Sequence, residues 1–181
     1  MNSYERRRLL IKHMESLESQ GMGCLGCQGT CCTFESNSMM LTPLEAVEIM
    51  GYLKEKALLT TDLKEKLLKT QKENRLENKP LANQRRSYLR KTYTCPFFGH
   101  MELGCPLPRE IKPYGCLAFD SHHRELKASV HCYSEKELMI KREAEFPEEV
   151  QINEELRKKY NLYWEKGPIP SALLDLWEHF S

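Results

Sequence analysis

Apolar positions recur at helical spacing in several stretches, separated by breaks rich in glycine, proline or charge. Leu9, Leu10, His13, Met14 and Leu17 line one face of a predicted amphipathic helix over residues 3–20. Gly21-Met22-Gly23 ends it. Thr42-Pro43-Leu44-Glu45 combines a capping box with proline at the first helical position. Leu44, Val47, Met50 and Leu53 then mark a face to about residue 57. A further helix is predicted after Thr61, carried by Leu63, Leu67 and Leu68. It fades into a polar stretch over 72–84 that contains Pro80.

From Arg85 the texture changes. Residues 86–95 are rich in β-favouring types and read as a strand. Cys95-Pro96-Phe97-Phe98-Gly99, Leu103-Gly104-Cys105-Pro106-Leu107-Pro108 and the stretch 111–119 are punctuated by proline and glycine, which forbids long regular elements. Ser134-Glu135-Lys136-Glu137 has the form of a second capping box, opening a helix to about residue 145. Pro147 breaks it, another helix is predicted over 148–164, and Gly167-Pro168-Ile169-Pro170 is a stop. Leu173, Leu176, Trp177 and Phe180 form one face of a terminal helix. No internal repeat stands out. The pattern predicts a mainly α fold with a small irregular β element, an α+β chain whose helices pack around a cysteine-ligated metal centre.

With 181 residues, a single domain over 1–181 is expected, with a cysteine-rich core over 20–120 and a helical extension over 121–181. Its 27 basic and 26 acidic residues leave a net charge of +1, so no global field points to nucleic acid. Mean hydropathy is −0.60 and no long apolar run follows the first residues, so neither a signal peptide nor a membrane span is expected. The cytoplasm follows as the expected location. Disulfides are rare there, and clustered thiols more often bind metal or do redox work.

Those thiols are the sharpest feature of the chain. Cys24-Leu25-Gly26-Cys27-Gln28-Gly29-Thr30-Cys31-Cys32 places four cysteines in nine residues, and Gly23, Gly26 and Gly29 are interleaved with them. A C-x2-C turn lets two thiolates converge on one tetrahedral ion about 2.3 Å from each sulfur. Cys31 and Cys32 are neighbours, and in extended geometry their side chains would point to opposite faces. They are then expected to serve two centres, or one centre and the core. Cys95, Cys105, Cys116 and Cys132 form a second group, beginning about 60 residues later. Four plus four thiols suit two four-ligand centres, or one iron–sulfur cluster with spare ligands. A metal held there would order loops that cannot order themselves. The competing reading, eight small buried hydrophobes or a disulfide scaffold, explains the close spacing less well.

The knuckle Cys24-x2-Cys27-x3-Cys31-Cys32, followed by Cys95, Cys105 and Pro113-Tyr114-Gly115-Cys116, resembles the YkgJ-type cysteine-cluster proteins. That family is described as zinc- or iron-chelating and includes a segment of flagellin lysine N-methylases. The resemblance covers roughly residues 20–120 and implies metal ligation by Cys24, Cys27, Cys31, Cys32, Cys95, Cys105 and Cys116. Cys132 joins them on cysteine arithmetic alone. Two departures stand out: Lys112 occupies the place where the family usually has arginine, and the interval from Cys105 to Cys116 is one residue longer than usual.

Other chemistry-bearing residues are weaker candidates. His100, His122, His123 and His131 lie among the later cysteines, but a lone histidine is more often a satisfied surface or core residue than a ligand. Arg85, Arg86, Arg90 and Lys91 form a basic patch that reads as a solvated strand face before it reads as a phosphate contact. Trp164 and Trp177 read as core, with a partner-docking helix as the alternative.

Three functions remain open: a structural or interaction module organised by zinc or an iron–sulfur cluster, an iron–sulfur redox protein or accessory to a methylation-type enzyme, and a metal carrier or sensor. The implied partners are the metal ion and a protein, with no nucleic acid and no membrane. G-x-x-x-x-G-K-[ST] and H-E-x-x-H are both missing, so independent catalysis has little support.

Overall fold

The computed structural model describes residues 2–20, 30–77, 91–99, 105–120 and 133–181. Among these the chain is mainly helical, with two short antiparallel strand pairs. It divides into two compact units, each assembled from two separate segments: Met1–Asn37 with Tyr93–Pro147, and Ser38–Thr92 with Glu148–Ser181.

The first unit is built on α1 (Ser3–Ser19), whose N-terminus is capped by the Asn2 side chain accepting from the Glu5 amide at 2.9 Å. Leu10, Ile11 and Met14 of α1 meet Tyr114, Leu117 and Ala118 in one buried cluster. The latter three lie in or just after the single-turn helix α4 (Tyr114–Leu117). Leu138 and Met139 of α5 (Lys136–Glu145) pack against the same cluster. A strand pair, β2 (Phe119–Asp120) with β3 (Tyr133–Ser134), joins antiparallel between α4 and α5. The expected capping box at Ser134–Glu137 is not formed: α5 begins one residue later, after Glu135, and no side chain caps it. Ser134 is instead committed to β3, so its backbone is fixed by strand pairing and not by helix initiation.

The second unit packs α7 (Ile169–Phe180) against α2 (Pro43–Glu55) and α3 (Thr61–Asn74), with α6 (Glu149–Lys159) also on α2. β1 (Met40–Leu41) pairs antiparallel with β4 (Gly167–Pro168). The predicted capping box of α2 is present in full, Thr42 and Glu45 satisfying each other's backbone amides. Asn153 of α6 adds a further cap by accepting from the Leu44 amide at 2.9 Å. Both tryptophans are core residues: Trp164 and Trp177 are buried, and the Trp164 indole donates to Asp175 at 2.8 Å.

Several boundaries differ from the periodicity reading, each for a local reason. Helix α6 stops at Lys159, not 164, because Asn161 takes a left-handed φ of 54°. The Leu162 amide then closes back onto the Arg157 carbonyl at 2.8 Å, a Schellman closure. Ala57 closes α2 the same way at φ 54°. In α3 only Leu67 is buried, and Leu68 faces solvent. Residues 91–95 belong to no strand, and the rest of the predicted strand lies outside the described residues.

No helix among the described residues is long and apolar enough to cross a membrane.

Candidate metal centre

Five of the eight predicted ligands fall in described residues, and all belong to the first unit. Cys31, Cys32, Cys95, Cys105 and Cys116 are thiols outside any disulfide, each half-buried. Cys24, Cys27 and Cys132 lie outside the described residues, as do His100, His122, His123 and His131 and the basic residues Arg85, Arg86 and Arg90. Lys91 is exposed and donates to the Arg75 carbonyl at 2.5 Å, a bond that leaves it on a solvated face.

Backbone pairing joins the two cysteine groups. The Tyr93 amide donates to the Asn37 carbonyl at 2.9 Å, and the Asn37 side-chain amide returns a bond to the Tyr93 carbonyl at 3.0 Å. The Phe34 amide donates to the Thr94 hydroxyl, and the Cys95 amide to the Cys32 carbonyl at 2.7 Å. These bonds lay residues 32–37 along 93–95 in antiparallel sense and bring Cys32 beside Cys95. Beyond it the chain turns at Pro96, with the Phe98 amide bonded to the Cys95 carbonyl.

Cys116 arrives from a third direction. Pro113 precedes α4, and its carbonyl accepts from the amides of Cys116 and Leu117 at 2.9 and 3.1 Å. The backbone of Lys112 is pinned from both sides: its amide donates to the Pro108 carbonyl at 3.0 Å, and its carbonyl accepts from Arg7 Nε at 2.7 Å. Arg109 ties the loop after Cys105 to the last turns of α1 through Glu18 at 2.5 Å and Glu15 at 3.7 Å.

Electrostatics shows how closely the sulfurs gather. Burial pushes the Cys116 thiol well above its ordinary range, and negative charge on Cys95, Cys105 and Cys32 pushes it further, against a smaller pull from Lys112. Cys116 keeps some exposed surface as a whole residue, but its sulfur lies on the enclosed side, which is why burial leads. Cys32 moves the other way, down to about 7. The largest cause is a hydrogen bond from the Cys31 thiol; burial opposes it and Lys112 assists it. Four sulfurs from three chain segments thus share one electrostatic neighbourhood.

The Cys31–Cys32 pair departs from expectation. Both lie in a 3₁₀ turn, Thr30–Cys32, and not in extended chain. Successive side chains there are about 120° apart rather than opposed, so the two thiols can touch. The pair therefore faces one neighbourhood together.

As a donor set, these thiols suit zinc, iron or another thiophilic metal. Among the described residues, no three His, Cys, Asp or Glu side chains already stand in an arrangement that could hold a metal ion. The sulfurs are neighbours, not a closed cage.

A second feature escaped the periodicity reading. Arg7 is fully buried, and its guanidinium lies 4.6 Å from the centre of the Tyr114 ring. The Arg142 guanidinium lies 3.5 Å from the same centre, while its Nε donates to the Arg6 carbonyl at 3.0 Å. Two cations thus stack on the tyrosine that begins the turn carrying Cys116. The available signal was positional: Arg7 shares the helix face of Leu10, Ile11 and Met14, where a solvated arginine would not be placed.

The Cys32 shift has a measurable consequence. In metal-free protein, alkylation of Cys32 by iodoacetamide should rise through pH about 7, ahead of an ordinary thiol, while Cys116 stays slow to higher pH. Peptide mass spectrometry across pH 5–10 reads both, and equal profiles for the two would contradict this geometry. The linked stability terms oppose each other. The depressed Cys32 contributes stability that is complete above the ordinary thiol range and lost as pH falls through about 7. The raised Cys116 contributes below that range and loses it as pH climbs towards its own shifted value.

Compared with family models, curated proteins and solved structures, the chain matches none of them.

Proposed function

We propose that this is a cytoplasmic metal-binding protein whose clustered cysteines hold zinc or an iron–sulfur cluster, serving as a structural or interaction module. One observation carries the reading: the Cys95 amide donates to the Cys32 carbonyl at 2.7 Å, setting the two cysteine groups side by side, and the electrostatics of Cys116 link it to the same thiols. Thiols gathered this way destabilise each other as they ionise, and a bound cation turns that cost into ligation. Cys32, Cys95, Cys105 and Cys116 are the ligands this supports most directly. Cys31 stands beside them, and Cys24, Cys27 and Cys132 complete the set on spacing alone. The resemblance to YkgJ-type proteins points to the same donors.

The partial exposure of Cys31, Cys32, Cys95 and Cys105 favours a second reading, a metal carrier or sensor, because a closed structural site would bury its sulfurs more fully. An iron–sulfur redox protein, or an accessory to a methylation-type enzyme, is the version of the same site in which the metal is iron.

Purification without oxygen, a visible spectrum, and iron, zinc and sulfide analysis test all three. Broad visible absorbance with stoichiometric iron and sulfide selects the cluster. A colourless protein with one or two zinc ions selects the structural site. Rapid loss of that metal to a weak chelator selects the carrier. A protein with neither metal, unable to take up either, overturns the proposal.

A further inference from the structure

Two cysteines from distant segments meet at one backbone hydrogen bond. The Cys95 amide donates to the Cys32 carbonyl at 2.7 Å, which keeps their Cα atoms within about 7 Å, the span that a disulfide can bridge. Groups other than the thiols hold this register. Asn37 and Tyr93, both buried, exchange two hydrogen bonds, and the Thr94 hydroxyl accepts from the Phe34 amide. Cys31 is a poorer partner for Cys32, because neighbouring Cα atoms lie about 3.8 Å apart, short of the roughly 4.4 Å that a disulfide needs. The Cys116 amide is committed to the Pro113 carbonyl within its own turn. Cys32 and Cys95 lie outside any disulfide, and neither is sealed in the core. They also mark a neck in the chain, which leaves the first unit after Asn37 and returns to it at Tyr93.

We propose that Cys32 and Cys95 form a reversible intrachain disulfide, a redox latch across the neck where the chain leaves the first unit and returns to it. The co-reactant is a low-molecular-weight disulfide. One cysteine of the pair attacks a sulfur of that reagent as its thiolate, breaking the S–S bond and releasing one small thiol. The other cysteine then attacks the protein sulfur of the mixed disulfide and releases the second small thiol. One S–S bond breaks and one forms, and the two protein thiol protons pass to the two small thiolates. The protein gives up two electrons and the reagent gains them. Because the backbone already holds the pair together, the second attack is intramolecular and favoured over a stable mixed disulfide. In a reducing compartment such a bond is transient, as a switch requires. The latch belongs to the metal-free chain and is independent of the metal-binding reading.

The test uses the full metal-free chain, fully reduced and then equilibrated in mixtures of reduced and oxidised glutathione. Remaining thiols are blocked with N-ethylmaleimide, and peptides are mapped by mass spectrometry without reduction. Excess oxidised glutathione should join the peptides that carry Cys32 and Cys95 and protect two of the eight thiols from the label. A large excess of reduced glutathione should reopen the bond. Closing a loop of about 60 residues should raise the melting temperature of the metal-free protein by about 5–15 °C. Cys31→Ser should keep the linkage. An absence of any intrachain bond at every ratio overturns the latch, as does a bond from either cysteine to a different partner. A bond that survives the reducing mixture is a fixed structural disulfide and overturns the switch. An oxidised form that melts no higher than the reduced one shows that the bond strains the native pairing, and overturns it too. Wild type carries every one of these readouts, so a misfolded Cys31→Ser leaves the decision intact. The proposed function is judged separately, on metal content.

Discussion

Serine at Cys32 or at Cys105 should empty the site of metal and lower the melting temperature in the same step. The two residues stand on different segments, one in the 3₁₀ turn that ends the first cysteine run and one in the proline-rich loop before α4. Neither is close to the other in sequence, so a shared loss identifies a shared ion. The effect should be large, since structural zinc contributes about 10–16 kcal/mol of apparent binding free energy in small peptides and that binding energy is folding energy. It should also be localised. The thiols all belong to the unit formed by Met1–Asn37 and Tyr93–Pro147. Hydrogen exchange should therefore quicken in that unit, with Ser38–Thr92 and Glu148–Ser181 keeping their protection. Elemental analysis with calorimetry and exchange mass spectrometry measures all of this. Normal metal content and unchanged melting in both variants would mean these sulfurs are not ligands.

Tyr114→Ala should be the most damaging single change away from the thiols, costing about 3–5 kcal/mol. The ring is 3% exposed and belongs to the buried cluster with Leu10, Ile11 and Met14. Its centre also lies 4.6 and 3.5 Å from the guanidiniums of Arg7 and Arg142. Removing it opens a cavity and strips both cations of the π face that they rest on, each stack worth about 0.5–2 kcal/mol. Tyr114→Phe keeps the ring and should cost about 1 kcal/mol or less. Urea unfolding separates the two, and near-equal losses would show that the ring is not what holds this region. Because Lys112 and Cys116 flank Tyr114 at two residues on either side, the alanine variant should lose metal as well.

Much of the helical architecture could be read from residues a few positions apart. Thr42 and Glu45 form their capping box, and Leu10 and Met14 are buried as the spacing predicts. Both are local signals, set by a 3.6-residue period and by amides that need a cap. The same locality explains the misses. Ser134 to Glu137 has the form of a cap but serves a strand pair, because pairing with Phe119 is a contact the four residues cannot encode. The left-handed turn at Asn161 ends α6 before the apolar pattern does.

The cysteine region divides along the same line. Residue type and spacing were enough to single out the thiols as candidate ligands, since a C-x2-C turn needs nothing beyond its own neighbours. Spacing alone could not say that Cys31 and Cys32 face one neighbourhood, because that follows from the turn's backbone geometry. Nor could it say that Cys32 sits beside Cys95, which depends on hydrogen bonds between segments about 60 residues apart. Least legible was the role of charge. Lys112 and Arg142 look solvated in a polar sequence and, with Arg7 on the apolar face of α1, are buried in the assembled first unit. Burial is a property of the assembled core, and no spacing of residues along the chain encodes it.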